Sequence, residues 1–160
     1  MHMDAIKLLK EDHDKVKELL ESLAETTSRA EKKRTELLSK ITQELEVHTQ
    51  IENEIFYPAF KKAGEKGDDA KLYFEAREEH RAVGELVLPD LNKTPAGSEQ
   101  FGGRAKVLKE LVEHHVKEEE HEMFPRAKKL MSKDELEALG EQLESRKHEL
   151  LQQRSFSAAA

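Results

Sequence analysis

Six polar residues stand where helical periodicity asks for apolar ones. His13 lies between Leu9 and Val16. His48 and Glu52 lie between Leu45 and Ile55, and His80 between Ala76 and Val83. His115 and Glu119 follow Val112. A carboxylate buried in such a seam costs several kcal/mol unless it is paired or holds a metal. The spacing His48-x-x-x-Glu52, repeated as His115-x-x-x-Glu119, sets an imidazole and a carboxylate about 40° apart and about 6 Å along one helix, so that they converge. Four imidazoles and two carboxylates suit two metal ions, with two histidines on each and the glutamates bridging the pair. That donor set favours iron, manganese or zinc over calcium or magnesium.

The six fall into a repeat. His13 and His80 are 67 residues apart, and so are His48 and His115, Glu52 and Glu119, and Pro58 and Pro125. The same offset matches Glu11 with Glu78 and Val16 with Val83. The chain reads as a two-helix unit used twice, with a histidine on the first helix and His-x-x-x-Glu on the second. A lone histidine in a seam is more often a satisfied core residue than a ligand; it is the joint, repeated constellation that points to metal. His114-x-x-x-Glu118 is a second such pair on the same helix, but the repeat sets Val47 opposite His114, which reads as a partly exposed neighbour. His121 lies opposite Glu54. His2 and His148 gain no partner from the pattern.

Five amphipathic stretches must carry these residues. They run from Asp4 to Ala24, from Glu31 to Ala63, from Asp68 or Asp69 to a stop at Pro89, from the loop 94–98 to Met131, and from the capping-box sequence Ser132-Lys133-Asp134-Glu135 onward. Four long stretches with short links predict an all-α, up-down four-helix bundle over residues 1–131. A further amphipathic helix over 132–154 packs on the bundle or forms a homodimer surface, and 155–160 reads as a frayed tail. Pro58 and Pro125 should kink or interrupt their helices, because each removes a donor and clashes with the preceding turn.

Composition excludes much else. The chain has 160 residues, enough for one core. With no Cys there is no disulfide, thiolate site or cysteine nucleophile. A net charge of −7 argues against a general nucleic-acid partner. No apolar run approaches the ~20 residues of a membrane span. The opening residues show no signal-peptide core, so a soluble, cytoplasmic protein is expected.

The motif set Asp12-His13, His48-x-x-x-Glu52 with Phe56-Tyr57-Pro58, Glu79-His80, and His115-x-x-x-Glu119 with Phe124-Pro125 resembles the hemerythrin-like, or HHE cation-binding, family over about residues 4–131. The resemblance implies a non-heme centre of two irons, bridged by carboxylates and an oxo or hydroxo group, with zinc or manganese as substitutes. It implies a small ligand: dioxygen, peroxide or nitric oxide. His13, His48, His80 and His115 would be terminal ligands, and Glu52 and Glu119 bridges. Oxygen carriers of the family use a fifth histidine, usually one turn after the third-helix histidine. Here that position is Gly84, with no evident substitute nearby. Two open metal positions favour detoxification or sensing of peroxide or oxygen over carriage. A sensor or iron store without turnover is the alternative, and a structural bundle with buried polar contacts the third reading. Phe56, Tyr57, Met123 and Phe124 read as core packing beside the prolines, or as an apolar wall at the metals. Tyr73 lies two turns before His80. Of Glu11, Asp12, Glu78 and Glu79, one is expected to orient an imidazole, with the rest at the surface. In the run Glu118-Glu119-Glu120, only Glu119 is singled out.

Overall fold

The structure, a computed structural model, describes residues 3–159. Five helical rods make up the fold. Helix α1 is Ala5–Ala24, α2 covers 31–63, α3 covers 68–92, α4 covers 99–130, and α5 is Lys133–Ala159. Helix α1 packs on α2 and α4, while α3 packs on α4 and on the end of α2. This is the expected up-down bundle. Helix α5 lies along α1 and α2, with Leu136, Leu139, Leu143 and Leu150 buried in the core they share.

The termini follow from local chemistry. Asp4 caps α1 by accepting from the Lys7 N–H at 3.0 Å, and Ser98 caps α4 through Phe101 N–H at 3.1 Å. The capping box at α5 is reciprocal. Glu135 N–H bonds Ser132 Oγ at 3.2 Å, and Ser132 N–H bonds Glu135 Oε2 at 2.7 Å. Helix α3 differs from expectation: its cap is Gly67, at φ 94°, and neither aspartate caps it. Asp69 instead accepts from Glu65 N–H at 2.8 Å and takes a two-pronged contact from Arg126 at 2.7 and 2.9 Å, tying α3 to α4. From Ser155 to Ala159, α5 is helical. Its alanines favour helix, and Ser157 Oγ donates back to the Gln153 carbonyl at 3.0 Å.

Arg126, followed by the Glu65 N–H, holds the Asp69 carboxyl below its usual value of 3.8. A carboxyl depressed in the folded state stabilises above its unfolded pKa, and that contribution is lost as pH falls through the folded value. Asp69→Ala should therefore cost about 2 kcal/mol at pH 7 in urea unfolding. The gap to the unmodified chain should narrow as pH falls below the usual carboxylate range; a gap that does not change with acidification would refute this account.

The prolines in the rods interrupt the regular α-helix. Each is preceded by a widened π-turn: Glu52–Phe56 before Pro58, Ala82–Val87 before Pro89, and Glu119–Met123 before Pro125. The turn closes through bonds five residues back, from Tyr57 N–H to Glu52 O, Leu88 N–H to Val83 O, and Phe124 N–H to Glu119 O. Widening accommodates a residue that has no donor and whose ring crowds the preceding turn. Pro89 therefore does not stop α3, which continues to Asn92.

The buried apolar residues form two clusters. One contains Leu9, Ile51, Phe56, Ala76, Met123 and the α5 leucines. The other contains Val16, Leu45, Val83, Leu108 and Val112. His13, His48, Glu52, His80, His115 and Glu119 lie at the sequence positions between these two clusters and are themselves buried. The holes in the four seams thus align as one polar slab across the bundle.

Candidate metal centre

Two groups of donors share the slab. His13, His48, Glu52 and Glu119 form one, and Glu52, His80, His115 and Glu119 the other; within each, the donor atoms lie within 4.8 Å of one another. The six residues picked out in the sequence are brought together, with both glutamates common to the two groups. Glu52 and Glu119 are 0% and 2% exposed, and both open π-turns.

Each imidazole is oriented from behind through Nδ1. His13 pairs with Glu120 Oε1 at 2.9 Å, His48 with Asp12 Oδ2 at 3.1 Å, His80 with Asn53 Oδ1 at 2.9 Å, and His115 with Glu79 Oε1 at 2.9 Å. Nδ1 is then the donor, and the Nε2 lone pair of a neutral ring faces inward, as a metal requires. These supports obey the same offset as the donors: Asp12 and Glu79 are 67 apart, and so are Asn53 and Glu120. Two of the four acids beside the first-helix and third-helix histidines thus orient an imidazole, and each orients the histidine of the following helix rather than its neighbour. Glu120 and Asn53 escape a reading of the sequence that follows the donors alone. Extending the 67-residue match to the flanking positions is the signal that finds them.

The interior is frustrated without a cation. His13 Nε2, His48 Nε2, Glu52 Oε1 and Glu119 Oε1 are buried and make no hydrogen bond. His48 Nε2 lies 2.9 Å from Glu52 Oε1, close enough to attract but outside hydrogen-bond geometry. His80 Nε2 and His115 Nε2 stand 3.1 Å apart, nitrogen facing nitrogen. Burial opposes charge on His48, yet the Glu52 and Asp12 carboxylates overcome it and push the ring up to about 10. Burial dominates at His80 and pushes it down to about 4. Burial and the nearby Glu52 charge raise Glu119. Two carboxylates and four inward nitrogens in a dry slab fit a pair of cations.

Tyr57 also enters the slab, which its reading as core packing misses. Its hydroxyl donates to Glu119 Oε2 at 2.8 Å. It lies 3.2 Å from Glu52 Oε2, 3.0 Å from His80 Nε2 and 3.3 Å from His115 Nε2. Its partner in the repeat is Phe124, whose ring stacks on His13 at 5.7 Å and 4°. One group therefore carries a phenol oxygen and the other a bare ring. Position 84 contributes nothing, since a Cβ on the exposed Gly84 would meet no atom within 4 Å. Tyr57 brings a hydroxyl oxygen to the His80–His115 group, beside which position 84 offers no fifth histidine. Phe56, Met123 and Phe124 are buried as a wall.

Other candidates fall outside. Tyr73 packs edge-on against Tyr57 at 6.5 Å, and no hydrogen bond joins it to the donors. His114 is 60% exposed and pairs with Glu118 at 3.1 Å. His121 Nδ1 donates to the Lys117 carbonyl at 2.7 Å, and His148 pairs with Gln152 at 3.0 Å. His2 lies outside the described residues.

An antiparallel helical bundle with two joined histidine–carboxylate clusters at its middle defines a metal-binding bundle protein. The hemerythrin HHE cation-binding domain model matches residues 4–127, and the chain belongs to that family. It is 29% identical to a hemerythrin HHE cation-binding domain-containing protein from Mycobacterium kansasii, whose crystal structure superposes with a TM-score of 0.83 over 99% of this chain and 93% of that one. It is 30% identical to the uncharacterized protein Rv2633c of Mycobacterium tuberculosis, over 92% of this chain and 88% of the relative. It is 25% identical to a DNA nickase of Nostoc sp., over 91% of this chain but only 39% of the nickase. Among the described residues, no helix is long and apolar enough to cross a membrane.

Proposed function

We propose that this chain is a non-heme di-iron protein that binds or reacts with dioxygen or peroxide. The observation that carries this reading is the pair of buried groups sharing Glu52 and Glu119, one reached by the Tyr57 hydroxyl and the other by no further protein oxygen. His13 and His48 would hold one iron, His80 and His115 the other. When bound, the two irons supply the redox chemistry. The chain supplies the rest. Glu52 and Glu119 carry the compensating charge. Phe56, Met123 and Phe124 exclude water. The Tyr57 hydroxyl donates to Glu119 Oε2, and its oxygen would lie within reach of a cation held by His80 and His115. The lack of a fifth histidine at Gly84 supports peroxide or oxygen reactivity over reversible carriage. A sensor or iron store without turnover is the second reading, favoured by the contact of α5 with a residue that orients His48.

Metal analysis of freshly purified protein, with a visible spectrum before and after one equivalent of peroxide, tests the proposal. About two irons per chain and peroxide consumed over many turnovers support an enzyme. A stable spectral shift alone supports sensing. Zinc or no metal, with no change on offering iron, refutes the di-iron reading. Tyr57→Phe should keep both irons and lose any phenolate-to-iron absorption; a spectrum identical to the unmodified chain would remove Tyr57 from the ligands.

A further inference from the structure

One contact joins α5 to the donor slab. The Lys147 ammonium, on α5, pairs with Asp12 Oδ1. The other oxygen of that carboxylate, Oδ2, accepts from His48 Nδ1 at 3.1 Å. Asp12 is 6% exposed and the Lys147 side chain 27%, so the pair is largely shielded from water. The three other supports are different. Asn53 behind His80 is neutral. Glu79 behind His115 pairs only with His115 and His114. Glu120 bonds His13 and feels Lys17 and Lys10 through charge alone. A directly bound lysine is thus found at one of the four imidazole supports.

We infer that Lys147 is a positioning residue for the metal centre, acting through Asp12 to fix the His48 ring and to reduce the negative charge delivered through it. The inference rests on the di-iron reading above. A carboxylate hydrogen-bonded to the far nitrogen makes an imidazole a stronger donor and favours the oxidised metal. A cation on the carboxylate's other oxygen withdraws part of that effect, and the low dielectric of the slab strengthens both. Lys147 therefore holds the His13–His48 iron at a higher potential than Asp12 alone would. The residue comes from the helix outside the four-helix bundle, so docking of α5 and the electronic state of the centre are coupled.

The test uses the full-length, iron-loaded chain, with midpoint potential and iron content measured together. Lys147→Met should keep about two irons and shift the potential downward. Lys147→Arg should restore it. Arg146→Met is the control: it removes the neighbouring tie from α5 to α2, the 2.7 Å contact of Arg146 Nε with Glu54 Oε2, a carboxylate whose other partner is Gln50 rather than a histidine. It should leave the potential unchanged. An unmoved potential in Lys147→Met at two irons, or an equal shift in Arg146→Met, overturns the inference while leaving the di-iron reading intact. A chain that takes up no iron at all overturns both.

Discussion

Glu52→Gln should abolish binding of the metal pair. Gln keeps the shape but loses the charge of a residue that lies 2.9 Å from His48 Nε2, 3.0 Å from His80 Nε2 and 3.2 Å from the Tyr57 hydroxyl. It belongs to both donor groups, so no iron would keep its full set. Bound iron, measured by elemental analysis, should fall from about two per chain to well below one. Stability gives an independent readout. A ligand at about a hundred times its dissociation constant stabilises by about 2.7 kcal/mol, roughly 5–10 °C in Tm for a chain of this size. The unmodified protein should lose that margin on chelation. Glu52→Gln should show the same Tm with and without chelator, while its circular dichroism stays helical. A chelator-sensitive Tm in the variant would show that Glu52 is not needed to hold the metal.

Gly140→Val should push α5 away from the bundle. A Cβ at Gly140 would sit 2.0 Å from the Met3 carbonyl oxygen and 2.9 Å from both Ala5 N and Asp4 C. These are backbone atoms at the start of α1, and they cannot swing aside as a side-chain tip can. Overpacking of this kind costs about 1–3 kcal/mol, occasionally more. The expected results are a lower urea midpoint and faster proteolysis of α5 than of the bundle. Gly103→Ala is the contrasting change. That glycine is helical, and a Cβ there would meet nothing within 4 Å. Alanine should stabilise by up to about 1 kcal/mol through helix propensity. Equal effects from the two substitutions would contradict the packing account. If the Lys147 proposal holds, Gly140→Val should also lower the potential of the iron.

The ligand pattern was open to reading because it is written in contrasts of residue type. His13, His48, Glu52, His80, His115 and Glu119 interrupt apolar seams, and their common offset needs no structure to see. The five rods were legible for a similar reason, since leucine and valine recur every three or four residues, and the links carry turn residues such as Gly64, Gly67, Pro95 and Gly97. The π-turns were not. Their trigger is a proline a few residues on, and a periodic pattern drawn for 3.6 residues per turn cannot register an extra residue. Tyr57 was lost with them. In an α-helix a residue five positions after Glu52 points about 140° away from it. The wide turn Glu52–Phe56 absorbs the difference and brings the Tyr57 hydroxyl onto the Glu52 carboxylate. Pro89 looks like a helix stop in sequence for the same reason, as the turn Ala82–Val87 lets α3 pass through it.

The 67-residue correspondence also bears on ancestry. Two identical two-helix chains, paired about a twofold axis, would present the same inward nitrogens and the same two carboxylates. Such a pair is symmetric by construction, and any ligand given to one metal is given to the other. Joining the halves in one polypeptide lifts that restriction, because each copy then mutates alone. Here Tyr57 corresponds to Phe124, and Asn53 to Glu120, at the same offset of 67. One half of the centre thus carries a hydroxyl that the other lacks, an asymmetry that two identical chains related by a twofold axis could not have.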